Sequence, residues 1–148
     1  MTQEDKELLL KDLSARLPYG VKCVSGVDDA TLIIEGINPN CNGASEVQVT
    51  YESSGINFDT KISSIKPHLF PLSSMTEEQK IECFKGTDIE LDEYNEIWSK
   101  FPISETDIPI TNLSNWLRVI DWLNKNHFDY RGLIPLGLAI DATGLGIY

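Results

Sequence analysis

A chain of 148 residues, 41% hydrophobic and 24% charged, is long enough for a core of its own and too apolar for wholesale disorder. Its 23 acids against 12 bases give a net charge of −11, which disfavours tracking a nucleic-acid backbone or settling on an anionic membrane. No apolar run approaches the length that spans a bilayer, and the opening MTQEDKELLL lacks the basic-then-apolar order of a secretory signal, so a cytoplasmic protein is expected.

The first predicted element is an amphipathic helix over TQEDKELLLKDLSARLP. Thr2 caps it, acids crowd its first turn where the dipole favours them, and Pro18 stops it. Leu9, Leu10, Leu13 and Leu17 form its apolar stripe, with Arg16 near the negative end. The period then changes from 3.6 to 2. Tyr19, Val21 and Cys23 alternate with polar positions, ATLIIEGI is a continuous run, and SEVQVTYES places Val47, Val49 and Tyr51 on one face. INFDTKISSI puts Ile56, Phe58, Thr60 and Ile62 on one face. The turn clusters GVDD, NPNCNGAS and SSG join these segments as an antiparallel meander.

KPHLFPLSSMTEEQKIECFKG carries a helix start at Thr76, whose capping box closes with Gln79, and an exit at Gly86. A second box, Thr87 with Glu90, opens DIELDEYNEIWSKFP, where Leu91, Tyr94, Trp98 and Phe101 share one helical face. ISETDIPIT is an extended connector. The helix NLSNWLRVIDWLNKN follows, with Leu113, Trp116, Leu117, Ile120 and Leu123 inward and Val119 and Trp122 widening the stripe, so it is expected to be the most buried helix.

Three stretches resemble a group of small proteins carried by phages and integrated mobile elements of gut Bacteroides: MTQEDKELLLKDLSARLPYGVK, KPHLFPLSSMTEEQK at 66–80 and DWLNKNHFDYRGLIPLGLAIDATG at 121–144. The likeness leaves out the segment from Val24 to Ser64. It implies a setting, a mobile-element protein acting in a bacterial cytoplasm, and brings no activity with it.

The segment NKNHFDYRGLI collects His127, Asp129, Tyr130 and Arg131 at a helix exit: a neutral-pH base, a carboxylate, a phenol and a cation. Neighbours at a helix end point in different directions, so a structural role is expected for each. His127 would favour the helix dipole as a cation, and Phe128 and Tyr130 would fold back onto the tryptophan-rich helix. Asp129 would cap a following turn that Gly137 closes, and Arg131 would pair with an acid or with carbonyls. These four are the binding candidates, and no residue is assigned a catalytic role.

Cys23, Cys41 and Cys83 are too dispersed for a disulfide framework or a zinc site and read as reduced thiols. Pairing Cys23 or Cys83 with His68 or His127 as a nucleophile has no supporting motif. Gly-x-Ser-x-Gly, Gly-x-Gly-x-x-Gly and Walker patterns are missing; DIELDE and VDD offer oxygen ligands, but the EF-hand pattern is absent and DIELDE reads as a solvated helix start. No cofactor and no metal are expected.

The expected fold is α+β, one domain over 1–148. An antiparallel sheet of three or four strands, from about Tyr19 to Ile65, is packed by an N-terminal helix and two or three C-terminal helices. The helices around Trp98 and Trp116–Trp122 supply most of the core against the sheet. The first functional expectation is a non-enzymatic phage or mobile-element protein that binds a host or phage protein. A second draws on the window Thr76–Asp107, whose ten acids against three bases hold −7 of the −11: an acidic nucleic-acid mimic that inhibits a nucleic-acid enzyme. A third is a small enzyme with its site near His127–Arg131.

Overall fold

The computed structural model describes residues 1–39, 45–89, 99, 101 and 113–148. Cys41, most of the NPNCNGAS turn, the helix expected over DIELDEYNEIWSKFP and the ISETDIPIT connector lie outside the described residues, apart from Asp88, Ile89, Ser99 and Phe101.

Helix α1 (Gln3–Arg16) starts as its sequence dictates. Thr2 Oγ1 accepts the Asp5 N–H at 3.1 Å and Asp5 returns the contact to the Thr2 N–H at 2.7 Å. Its buried face differs from the leucine stripe. Leu9, Asp12, Leu13 and Arg16 point inward, while Leu10 and Leu17 are only half-buried. Two charged residues thus occupy the i+3 and i+7 places of the inner face.

Strands β1 (Lys22–Ser25), β2 (Thr31–Pro39), β3 (Ser45–Tyr51) and β4 (Asn57–Lys61) form the antiparallel meander read from the alternation. Facing pairs align the apolar positions on one side: Cys23 with Leu32, Ile34 with Val49, Val47 with Thr60 and Val49 with Phe58. Ile34 and Ile37 are three apart, yet both pack inward because the register shifts by one residue at Glu35. Tyr19 belongs to a short 3-10 turn rather than to a strand. Ile56 precedes β4 and is exposed, against expectation.

The sheet is larger than expected and mixed. A fifth strand, β5 (Ile65–Pro71), lies against β1, with Cys23 opposite Pro67. Two-residue strands β6 (Phe128–Asp129) and β7 (Ile140–Asp141) pair β5 in parallel, giving seven strands in the order β4-β3-β2-β1-β5-β6 with β7 also on β5. The expectation of three or four antiparallel strands fails at β5, which carries Pro67 and Pro71, residues that normally argue against a central strand. Groups between and beside the prolines make the ladder. Ser64 O accepts the Gly26 N–H at 2.8 Å, Leu69 O accepts the Ala142 N–H at 2.8 Å, and the Phe70 N–H donates to His127 O at 2.9 Å.

Helix α2 (Glu77–Cys83) begins at the Thr76–Gln79 capping box. Helix α3 (Leu113–Lys125) buries Trp116, Val119 and Leu123 but turns Leu113 (48% exposed) and Leu117 (57% exposed) outward, so it is not buried all round. Two apolar clusters result. One joins the sheet face, Leu9 and Leu13 of α1, and Leu133 and Leu138 from the C-terminal segment; the other joins α2, α3, Met75, Phe128 and Tyr130. The described part of the expected Trp-rich core therefore packs mainly beside the sheet, and α1 covers the sheet's apolar face. Among the described residues, no helix is long and apolar enough to cross a membrane.

Candidate functional site

The corner after α3 is built by a tight chain reversal. The Asn126 N–H donates to Trp122 O at 3.0 Å and the His127 N–H to Asn124 O at 3.2 Å. His127 then takes φ +58°, a left-handed conformation more often filled by glycine or asparagine at a helix exit. That reversal feeds β6, where the Phe128 ring stacks on Trp122 at 5.8 Å and 10°.

Each neighbour of His127 goes a separate way. Both Asp129 oxygens accept backbone N–H groups, Leu133 and Ile134, each at 2.8 Å, and the Gly137 N–H closes the following turn on Ile134 O at 2.9 Å. The expected capping role is therefore the observed geometry. Arg131 Nη1 donates to Asp12 Oδ1 at 2.9 Å. Tyr130, 1% exposed, lies under the Arg131 guanidinium at 4.5 Å and beside that of Arg16 at 5.6 Å.

Arg16, expected near the negative end of the first helix, points inward and meets Asp12, for which no role was expected. Both are fully buried, and they form a two-pronged ion pair, Nε to Oδ2 at 2.8 Å and Nη2 to Oδ1 at 3.0 Å. Arg16 also donates to Phe128 O at 2.8 Å and to Leu123 O at 3.4 Å, so one guanidinium fastens α1 to the end of α3 and to β6. Their 9-12-13-16 spacing with Leu9 and Leu13 is the signal that could have exposed them: a charge pair inside an apolar stripe.

His127 is not the cation that its place in the last turn suggested. Burial, with the neighbouring Arg16 charge, pushes its imidazole down to about 4, against a weaker pull from Asp12. The neutral ring, 7% exposed, stacks on Tyr148 with centroids 3.9 Å apart, and its Nδ1 is enclosed without a hydrogen-bond partner. Tyr148 is itself held by its hydroxyl, which donates to His68 O and accepts the Lys22 N–H, both at 3.0 Å.

A cavity of about 480 Å³ opens beside this ring, bounded by the exit of α3, β5, the start of α2 and the Thr143–Tyr148 tail. His127 and Phe128 line it. Asp129 lines a different hollow of about 230 Å³ with Pro71 and Phe101, and Arg131 lines neither. Imidazole, carboxylate and guanidinium thus do not share one chamber.

Nucleophilic pairs fare no better. Burial raises the Cys23 thiol strongly and pushes that of Cys83 up to about 12, and no hydrogen bond joins either to His68 or His127 among the described residues. Asp28 of VDD is occupied by the Ala30 N–H and the Tyr51 hydroxyl. Among the described residues, no three His, Cys, Asp or Glu side chains gather closely enough for a metal ion. Of the acidic window, Glu77, Glu78, Glu82 and Asp88 are exposed, and the acids from Glu90 onward lie outside the described residues. No family model, curated protein or solved structure matches the chain.

Proposed function

We propose that the protein is a non-enzymatic, mobile-element protein that acts by binding a host or phage protein. The observation that carries this reading is the outward pair Leu113 and Leu117 on α3, one turn apart and each about half exposed, on a helix whose opposite side is fully packed. Leucines that face water at successive turns suit a partner's apolar surface. The corner chemistry supports the same reading, since Asp129 and Arg131 are spent on backbone N–H groups and on Asp12 rather than offered to a substrate.

The test is affinity purification from a Bacteroides host with the wild-type chain and a Leu113→Asp/Leu117→Asp variant side by side. A protein retained at stoichiometric yield by the wild type and lost with the variant, whose thermal melting stays unchanged, is the expected result. Retention of the same proteins by both would remove α3 as the binding face.

A further inference from the structure

The cavity beside His127 differs in charge from the chain around it. The protein holds 23 acids, yet no side chain lining the cavity is acidic, and Lys125 is the one charged side chain among them. The capping box at its edge adds donors. Thr76 Oγ1 accepts the Gln79 N–H and Gln79 Oε1 accepts the Thr76 N–H. Both side chains therefore accept from the backbone, which leaves the Thr76 hydroxyl hydrogen and the Gln79 amino group to be donated elsewhere. The short helix α2 is not itself the attraction; the donors are side chains.

Much of the remaining lining is aromatic. Phe128, Phe70, Tyr148 and His127 follow one another with centroid spacings of 5.9, 5.9 and 3.9 Å. His127 holds its place there in a backbone conformation that is costly for a residue with a side chain, which is where strain is commonly retained for a site. A volume of about 480 Å³ accommodates a ring system with one attached polar group.

From this pairing of ring wall and donor rim, we propose that the cavity binds a small planar aromatic ligand carrying one anionic group, its ring against Tyr148 and Phe70 and its anion toward Lys125, Thr76 and Gln79. The site is independent of the α3 surface proposed for a protein partner. A phosphate-bearing nucleoside and an aromatic carboxylate share this chemistry, and two probes separate them.

Adenosine 5′-monophosphate and 2-naphthoate are each titrated into the full-length protein and followed by amide and side-chain NMR shifts. Adenosine serves as the uncharged control, and acetate as the control without a ring. The expected result is saturable shifts at Asn126–Phe128, Thr143, Gly144 and Tyr148 at millimolar or tighter concentration for at least one probe, with adenosine and acetate weaker. Lys125→Gln, at an exposed position, is expected to weaken the anionic probe about fivefold, while Lys66→Gln on the exposed side of β5 leaves it unchanged. Saturation by the nucleotide alone selects a phosphate ligand, and by naphthoate alone a carboxylate. Absence of saturable shifts with both probes overturns the site. Equal binding of adenosine, or equal weakening by the two lysine variants, overturns its preference for an anion.

Discussion

Replacing Arg16 by methionine tests whether the buried charge cluster holds the two halves of the core together. The substitution keeps the length of the apolar stem and removes the guanidinium. It deletes the two contacts to Asp12 and the bonds to Phe128 O and Leu123 O, all inside the protein. Breaking a buried pair by removing one partner costs about 3–5 kcal/mol. Asp12 is not left wholly bare, because Arg131 still reaches Oδ1 at 2.9 Å, which argues for the lower end of that range. The abandoned Phe128 carbonyl adds about 1 kcal/mol or more. A total of about 4 kcal/mol is a large share of a domain's usual 5–15 kcal/mol. At roughly 2–4 °C per kcal/mol for a chain of this size, Tm falls by about 8–16 °C.

Circular-dichroism melts and urea titrations, with the urea slope compared to show that the same surface unfolds, read the change. Arg16→Lys is the informative companion: it keeps the charge, cannot fork onto both Asp12 oxygens, and is expected to fall between wild type and Arg16→Met. A Tm within about 3 °C of wild type for Arg16→Met would refute the reasoning, since a residue this enclosed has no water to replace its partners.

His127 titrates near 4 when folded against 6.5 for the free side chain, so the unfolded chain holds the extra proton between those values. Stability is therefore complete above about 6.5 and declines toward pH 4, by at most on the order of 3 kcal/mol. His127→Asn, which tolerates the positive φ, should flatten that decline in urea titrations at pH 7 and pH 4.5, leaving the smaller slope of His68, whose imidazole burial also lowers. A parallel loss in both proteins would exclude His127 as the source. Trp116, 4% exposed, should cost about 3–5 kcal/mol on mutation to alanine, and half-buried Trp122 about 2 kcal/mol; the reverse order in chemical denaturation would show that the packing of α3 is misassigned. In a Cys41→Ser background, Cys23 and Cys83 should react with a thiol reagent at pH 8 only as fast as the chain unfolds, because both are enclosed and raised. Stoichiometric labelling within the mixing time would contradict their burial.

What the sequence made legible is what it states locally. The cap at Thr2, the box at Thr76 and the alternation of Val47, Val49 and Tyr51 depend on neighbours in the chain, and each appears in the structure where its spacing put it, while α2 ends at Cys83, short of the exit expected at Gly86. The pairing of β5 with β1, β6 and β7 depends on residues far away in sequence, and its two prolines suppress the local signal. Strands of two residues carry no period at all. Leu113 and Leu117 illustrate a different limit. Both fit a 3.6-residue stripe with Leu123, yet the packed side is fixed by Trp116 and Val119, so a wide apolar arc does not say which of its edges stays wet.

The histidine corner was legible only in part. The capping by Asp129 is local, with Leu133 and Ile134 as its partners, whereas Arg131 and His127 meet Asp12 and Tyr148 from outside the segment. Asp12 and Arg16 sit on α1, which covers the sheet, whereas Leu123 and Phe128 belong to the helical cluster. A single fork of hydrogen bonds therefore spans the seam between two apolar masses that have little directional preference of their own. Hydrophobic burial drives both clusters to form, but it does not specify how one sits on the other. The bonds from Arg16 to Leu123 O and Phe128 O and from Arg131 to Asp12 do, because any other docking would leave enclosed guanidinium N–H groups and the Phe128 carbonyl without these partners. The same docking sets β6 along Phe70 and holds His127 against Tyr148, so the shape of the neighbouring cavity follows from a contact made by the first helix.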